Sequence, residues 1–195
     1  MNPSTWFVLL FLAAVNLQRV RETFQKRGTL PGEQRMQWSF RAFFILHTLI
    51  MLAALTEFLL WRKTLIVAWA ATGVGLYLVS VVVRNVAIRT LGRYWSLHVE
   101  IRDQHQLVRT GIYNWVRHPA YLAIMLEVLS IPLTVNAWWT TLFAAVSYVP
   151  LLMLRLRVEE RALVEKFGGD YRRYQAEVGV LLPKWPLTRN QSTDS

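Results

Sequence analysis

Apolar residues along this 195-residue chain fall into five runs, separated by polar and mostly basic segments. The first covers about Thr5–Leu17 and is short and uncharged. The second, about Phe43–Trp61, carries His47 and Glu57. The third, Thr64–Val83, is uncharged and long enough to cross a bilayer as a helix. The fourth, about Ala120–Val135, contains Glu127 and Pro132, and the fifth, Ala137–Leu154, contains Pro150. Only Asn136 separates the last two runs, which predicts a tight helical hairpin. Beyond them, Leu163, Val164, Phe167, Tyr171 and Tyr174 recur at roughly helical spacing within Val158–Val178, broken at Gly168-Gly169. That pattern predicts one or two amphipathic helices docked on a membrane face.

The pattern predicts an all-α polytopic membrane bundle of about five transmembrane helices, forming a single domain over residues 1–195. Gly28 and Pro31-Gly32 mark a turn in the first polar loop, and the tail over 188–195 is expected to fray. Repeats, low-complexity tracts and a soluble βαβ pattern are absent from the sequence. Gly73 and Gly75 lie inside an apolar run, the wrong context for a dinucleotide-binding loop.

Composition supports the membrane reading, with 54% hydrophobic and 17% charged residues. The chain has no cysteine, which excludes disulfides and Cys-based zinc sites. A net charge of +10 would suggest nucleic acid on a soluble surface, but its placement here argues against that partner. Of the 22 Lys and Arg residues, 20 lie between the first and second runs, between the third and fourth, or after the fifth. Only Arg62 and Lys63 fall on the other side. Basic residues are retained at the cytoplasmic surface, so the amino terminus is expected outside and the carboxyl terminus inside. The first run has no basic residue before it and strong positive charge after it, which reads as an outside-to-inside span rather than a cleaved signal.

Two dense patches share the cytoplasmic side. Gly111-Ile-Tyr-Asn-Trp-Val-Arg-His-Pro-Ala-Tyr121 sets aromatic rings, a guanidinium and an imidazole directly before the fourth run. Arg155-Leu-Arg-Val-Glu-Glu160 follows the fifth run, with Arg155 and Glu159 four residues apart on one helix face. Taken singly, these features have ordinary explanations. Arg155/Glu159 would be a surface ion pair, Tyr113, Trp115 and Tyr121 belt aromatics, and His118-Pro119 a helix start. His47, Glu57 and Glu127 inside spans are functional candidates by default and equally candidates for polar contacts within the bundle. A transporter would use Glu57 and Glu127 to line a path, but the third and fifth runs carry no charge to continue it.

In combination the motifs are specific. His105-Gln-Leu-Val-Arg-Thr-Gly-Ile-Tyr113 and Arg117-His-Pro-Ala-Tyr121 come first. Arg155 through Glu159-Glu160, Phe167-Gly168, Tyr171-Arg-Arg-Tyr174 and Leu182-Pro183 then follow in order. This series resembles the isoprenylcysteine carboxyl methyltransferase family, which is related to the integral-membrane phospholipid methyltransferases. The resemblance covers about Arg89–Trp185, while the amino-terminal half matches in hydropathy alone. Ala123 stands where the family commonly has glycine.

The resemblance implies methyl transfer from S-adenosylmethionine to a lipophilic acceptor that enters from the bilayer, most simply a carboxylate. A lipid amine or a small thiol is the alternative acceptor. It further implies a cytoplasmic cofactor pocket built from the loop before the fourth helix and the carboxyl-terminal helices. By motif position His98, His105, Gln106, Leu107, Val108, Tyr113, His118, Pro119, Ala120, Tyr121 and Glu159 would contact the cofactor, and Arg155 would hold the acceptor. The chemistry suits these roles. Aromatic faces stabilise a sulfonium by about 0.5–2 kcal/mol, a glutamate pairs with an ammonium, and arginine offers a planar fork for a carboxylate. A carboxylate is ionised at neutral pH, so its methylation calls for neither a general base nor a metal. An amine or thiol would have to lose a proton, with His118 or Glu159 as candidate base.

Overall fold

The computed structural model describes residues 2–25, 33–62, 64–95, 99–101 and 107–184. His98, His105, Gln106 and the Gly28/Pro31-Gly32 turn lie outside the described residues. Helix α1 (Pro3–Phe24) starts at Asn2, whose Oδ1 accepts from the Thr5 backbone N at 2.9 Å, with Pro3 where no N–H partner is needed. Helices α2 (Gln37–Glu57, continued by a π-helical turn to Arg62), α3 (Val67–Leu91), α4 (Pro119–Thr134) and α5 (Trp138–Phe167) alternate in direction through the bundle. A short α6 (Gly169–Glu177) closes it. Strands β1 (Glu33–Arg35) and β2 (Val99–Ile101) pair antiparallel, with Glu33 opposite Ile101. The hydrophobic pattern gave no sign of this ribbon; the architecture is otherwise an all-α bundle.

Among the described residues three stretches are long and apolar enough to cross a membrane: Trp38–Trp61, Val67–Tyr94 and Trp138–Phe167. The other two apolar runs differ from the five-span expectation in instructive ways. Helix α1 has 22 residues but turns polar from Gln18 to Glu22. Helix α4 has 16 residues, about 24 Å of rise. It lies at the centre of the bundle, where α3 and α5 cover it, so its surroundings are protein more than lipid. Helix α5 runs unbroken for 30 residues, about 45 Å, so its last third projects beyond a hydrocarbon layer of about 30 Å. The segment expected as a separate amphipathic helix from Val158 is therefore the end of α5. The break falls at Gly168, whose φ of +56° suits glycine, and α6 folds back from there.

Exposed tryptophans cluster at the two ends of the bundle. Trp6, Trp61, Trp69 and Trp139 lie at one end, and Trp38 and Trp115 at the other. Along α2 the span from Trp38 to Trp61 is about 34 Å, matching the thickness at which aromatic belts sit. Between the belts Phe44, Leu49, Leu52, Leu78, Val82 and Val146 point outward. This is an integral-membrane protein.

The polar residues inside the spans hold helices together. Glu57, at the end of α2, accepts from the Trp139 backbone N at 3.1 Å, the Thr140 backbone N at 2.8 Å and Thr140 Oγ1 at 2.8 Å. Helix α5 has no capping side chain of its own, so Glu57 supplies the cap from a neighbouring helix. Asn136, left-handed at φ +57°, turns the α4–α5 hairpin and accepts from the Ile66 backbone N at the start of α3. Glu57→Ala is expected to destabilise the fold by about 1–3 kcal/mol, because three donors, two of them in buried bonds, lose their acceptor. Glu57→Gln should cost less, since it keeps one carbonyl oxygen. Thermal unfolding midpoints of the two variants in one detergent check the ranking.

Glu127, in the middle of α4, sits in a cluster of four charges. One carboxylate oxygen pairs with Arg84 Nη1, and the other lies 2.6 Å from Arg19 Nε. Glu22 completes the group, 3.3 Å from Arg84 Nε and 3.9 Å from Arg19 Nη1. Beside it Gln18 accepts from the Tyr77 hydroxyl, tying α1 to α3. Glu57 and Glu127, which a charged transport path would need, are both committed to contacts between helices.

Candidate active site

Helix α4 starts abruptly because Pro119 takes its first position, where a missing N–H costs nothing. The preceding residues are pinned by the chain that follows α6. Arg117 N donates to Gly179 O at 2.9 Å and His118 N to Val180 O at 3.0 Å. Gly179 is required there, since a Cβ would run into the Leu182 carbonyl. Two segments 62 residues apart, counting from Arg117 to Gly179, are thus joined backbone to backbone.

The side chains of this junction converge on Glu160. Arg117 reaches its two oxygens with Nε at 2.8 Å and Nη2 at 3.1 Å, a bidentate pair. His118 Nε2 lies at 2.9 Å, the Tyr171 hydroxyl at 3.0 Å and Gln175 Nε2 at 2.9 Å. Arg117 Nη1 also donates to the carbonyls of Gln175, at 3.1 Å, and Val178. Glu160 lies in the projecting part of α5. Burial pushes its carboxyl upward, but the hydrogen bonds from His118 and Arg117 outweigh burial and hold it well below the usual carboxylate range. Burial, together with the same carboxylate, pushes the Tyr171 hydroxyl well above its ordinary value, so Tyr171 stays a neutral donor. Burial likewise raises Tyr113 well above the usual range and lifts Tyr174 to about 12.

An ionised Glu160 can only accept, so His118 Nε2 carries the proton of that bond. In the neutral ring Nδ1 then keeps its lone pair, 3.9 Å from Glu159 Oε1. On the α4 helix one turn beyond His118, the Tyr121 hydroxyl donates to Glu159 Oε2 and accepts from Arg155 Nε at 3.1 Å. The His118 and Tyr121 rings meet edge to face at 5.5 Å. The Arg155 guanidinium also lies 6.0 Å from the Tyr121 ring and 5.7 Å from that of Phe43 on α2. Exposure separates the two glutamates. The Glu160 side chain is 15% exposed and fully engaged, whereas Glu159 is 29% exposed and spends one oxygen on Tyr121.

Of the residues singled out in the sequence, His118, Tyr121, Arg155 and Glu159 come together in this cluster. Pro119 and Ala120 are buried at the start of α4. Tyr113 packs with Ala87 and Ala120, Val108 joins that group, and Leu107 joins Tyr171, Tyr174 and Val178. The Tyr174 hydroxyl donates to the Tyr113 carbonyl at 2.5 Å, linking these layers. Arg117, Glu160, Tyr171 and Gln175 form the support that motif reading gave no separate role. The doublet Glu159-Glu160 was visible, but two neighbouring positions on a helix point about 100° apart, and only packing decides which of them is enclosed.

Comparison with known proteins supplies the family. The model of the isoprenylcysteine carboxyl methyltransferase (ICMT) family matches residues 73–165. The probable protein-S-isoprenylcysteine O-methyltransferase of Oryza sativa is 32% identical over 138 residues, covering 68% of this chain and 71% of the relative. The chain belongs to the isoprenylcysteine carboxyl methyltransferase family. An uncharacterized Bacillus subtilis protein, YpbQ, is 35% identical over 159 residues, covering 81% of this chain and 94% of the relative. A solved structure of a eukaryotic intramembrane Ras methyltransferase superposes with a TM-score of 0.66 at 23% identity. That match covers 74% of this chain and 53% of the other, and it establishes the shared fold. The span matched by the family contains His118, Tyr121, Arg155, Glu159 and Glu160, and leaves out α1, α2, α6 and the segment that closes beneath His118.

Proposed function

We propose that this protein is an S-adenosylmethionine-dependent methyltransferase that acts on the carboxylate of a lipophilic acceptor, as in isoprenylcysteine carboxyl O-methylation. The observation that carries the reading is the Tyr121 hydroxyl, which links Arg155 and Glu159 into one site. The donor set suits the cofactor. Glu159 keeps acceptor capacity for an ammonium, and His118 and Tyr121 border it. Leu107, Val108, Tyr113, Pro119 and Ala120 complete the described part of the proposed cofactor surface, and His98, His105 and Gln106 keep the role the family motif suggests. When bound, the cofactor supplies an electrophilic methyl group on a sulfonium.

The remaining work is positional. Arg155 holds the acceptor carboxylate, already ionised at neutral pH, with its planar fork. Tyr121 fixes Arg155 relative to Glu159, so acceptor and cofactor anchors keep one mutual orientation, the condition for a proximity effect. Arg117, Glu160 and Tyr171 immobilise His118 beneath them. Enclosure by α4, α5 and the segment around Val180 limits water near the reacting oxygen. The excess of Lys and Arg puts this end of the bundle in the cytoplasm, with the amino terminus outside and the acceptor entering from the bilayer. In a prokaryotic cell that membrane would be the inner one.

Calorimetric titration of the detergent-solubilised protein with S-adenosylmethionine tests the cofactor assignment. Saturable binding is expected for the wild type, weakened about tenfold or more in Glu159→Ala through loss of a charged partner. A wild type that shows no saturable binding overturns the proposal. Membranes incubated with methyl-labelled S-adenosylmethionine then identify the acceptor class by where the label appears, a labelled amine or thiol pointing to His118 Nδ1 as the proton acceptor.

A further inference from the structure

Helix α2 reaches the site at Phe43. Phe43 is buried, and its ring lies 5.7 Å from the Arg155 guanidinium carbon and 4.9 Å from the ring of Tyr148 on α5. Arg155 is thus placed between two aromatic rings from two different helices, Phe43 from α2 and Tyr121 from α4. The Tyr121 hydroxyl oxygen also accepts a hydrogen bond from Arg155 Nε, which sets the plane of the guanidinium from one side. A guanidinium on a flexible stem loses its directional fork unless its orientation is constrained. The face of a buried aromatic ring supplies such a constraint without competing for the hydrogen-bonding edge. Phe43 lies outside the residues matched by the family model.

We propose that Phe43 is a positioning residue for methyl transfer: its ring orients Arg155 toward the acceptor carboxylate, and so makes acceptor affinity depend on α2. The inference rests on the reading of Arg155 as the acceptor anchor. It predicts an effect on acceptor KM with little change in kcat or in cofactor affinity, because Phe43 has no contact with Glu159 or His118 among those described.

The test uses the full chain in detergent, with N-acetyl-S-farnesylcysteine as the carboxylate probe and methyl-labelled S-adenosylmethionine as donor. Phe43→Leu is expected to raise the probe KM about fivefold, the effect of losing one cation–π contact. Its kcat and cofactor Kd should stay within about twofold of wild type. Phe43→Tyr, which keeps the ring face, should restore the wild-type KM. Ile50→Val, in the same apolar cluster, reports a general packing defect and should leave KM unchanged. Phe43→Met takes the place of Phe43→Leu if the smaller residue lowers the folded yield. An unchanged KM in the Phe43 variants, with a raised KM in Arg155→Ala, overturns the role of Phe43 alone. A KM raised equally by Ile50→Val does the same. No turnover of the probe by wild type, or no effect of Arg155→Ala, overturns the acceptor assignment and the role of Phe43 with it.

Discussion

Arg155→Ala is expected to lower kcat/KM for a prenylated cysteine carboxylate about a hundredfold or more, with cofactor affinity unchanged within about twofold. The size follows from the chemistry of the contact. Hydrogen bonds to a charged group contribute about 1.5–3 kcal/mol each, and a fork makes two of them. Losing about 3 kcal/mol corresponds to about a hundredfold in rate. Cofactor affinity should be spared because Tyr121 donates to Glu159 directly. Arg155→Lys restores charge without the fork, so an intermediate activity is expected. Steady-state transfer of labelled methyl groups, with calorimetry on the same preparations, separates the two quantities. Equal kcat/KM in wild type and Arg155→Ala would falsify the assignment.

Glu127→Leu is expected to destabilise the bundle by about 3–5 kcal/mol, the cost of leaving a buried charge without its partner. Arg84, with a side chain 3% exposed, and Arg19 are left behind, and among the described residues Glu22 is the acid that remains within ion-pair distance of both. The effect belongs to the imbalance of charge more than to the loss of attraction. Replacing both members, as in Arg84→Met with Glu127→Leu, should therefore recover most of the loss, since buried pairs and apolar replacements are often close in free energy. Midpoints of thermal or denaturant-driven unfolding for the single and double variants decide the matter. A double variant as unstable as Glu127→Leu alone would show that the cluster does more than neutralise itself. Glu127 lies on the face of α4 toward α3 and α1, whereas Tyr121 and Val128 pack toward α5 and α2. The loss should thus register in stability before it registers in cofactor affinity.

The two glutamates of the doublet show where reading the sequence stops. Charge type and helical spacing put Arg155 and Glu159 on one face, and the structure brings them to the same tyrosine. Neighbouring Glu160 has the same chemistry and an equally good motif position. It became the enclosed hub because Gly168 reverses the chain and sets Tyr171 and Gln175 against it, a consequence of packing across 11 and 15 residues. Phe43 carried no signal, being one aromatic among several in an apolar run. Glu57 and Glu127 looked alike in sequence, polar groups in spans. Their roles as helix cap and as ion-pair partner depend on which helix end or basic residue lies opposite.

Period and charge along the chain determined the membrane class, the alternation of helices, the hairpin at Asn136 and the end of the bundle that carries the candidate site. These follow from local rules, since transfer of an apolar run to lipid and retention of basic loops act on each segment by itself. Ordered motifs determined the family. Tertiary structure alone decided that α4 is a buried central helix, that α5 continues past the membrane into the site, and which carboxylate is enclosed and which stays accessible. Those outcomes are set by contacts between segments far apart in sequence, where burial and hydrogen-bond satisfaction are shared among helices and no single segment encodes the result.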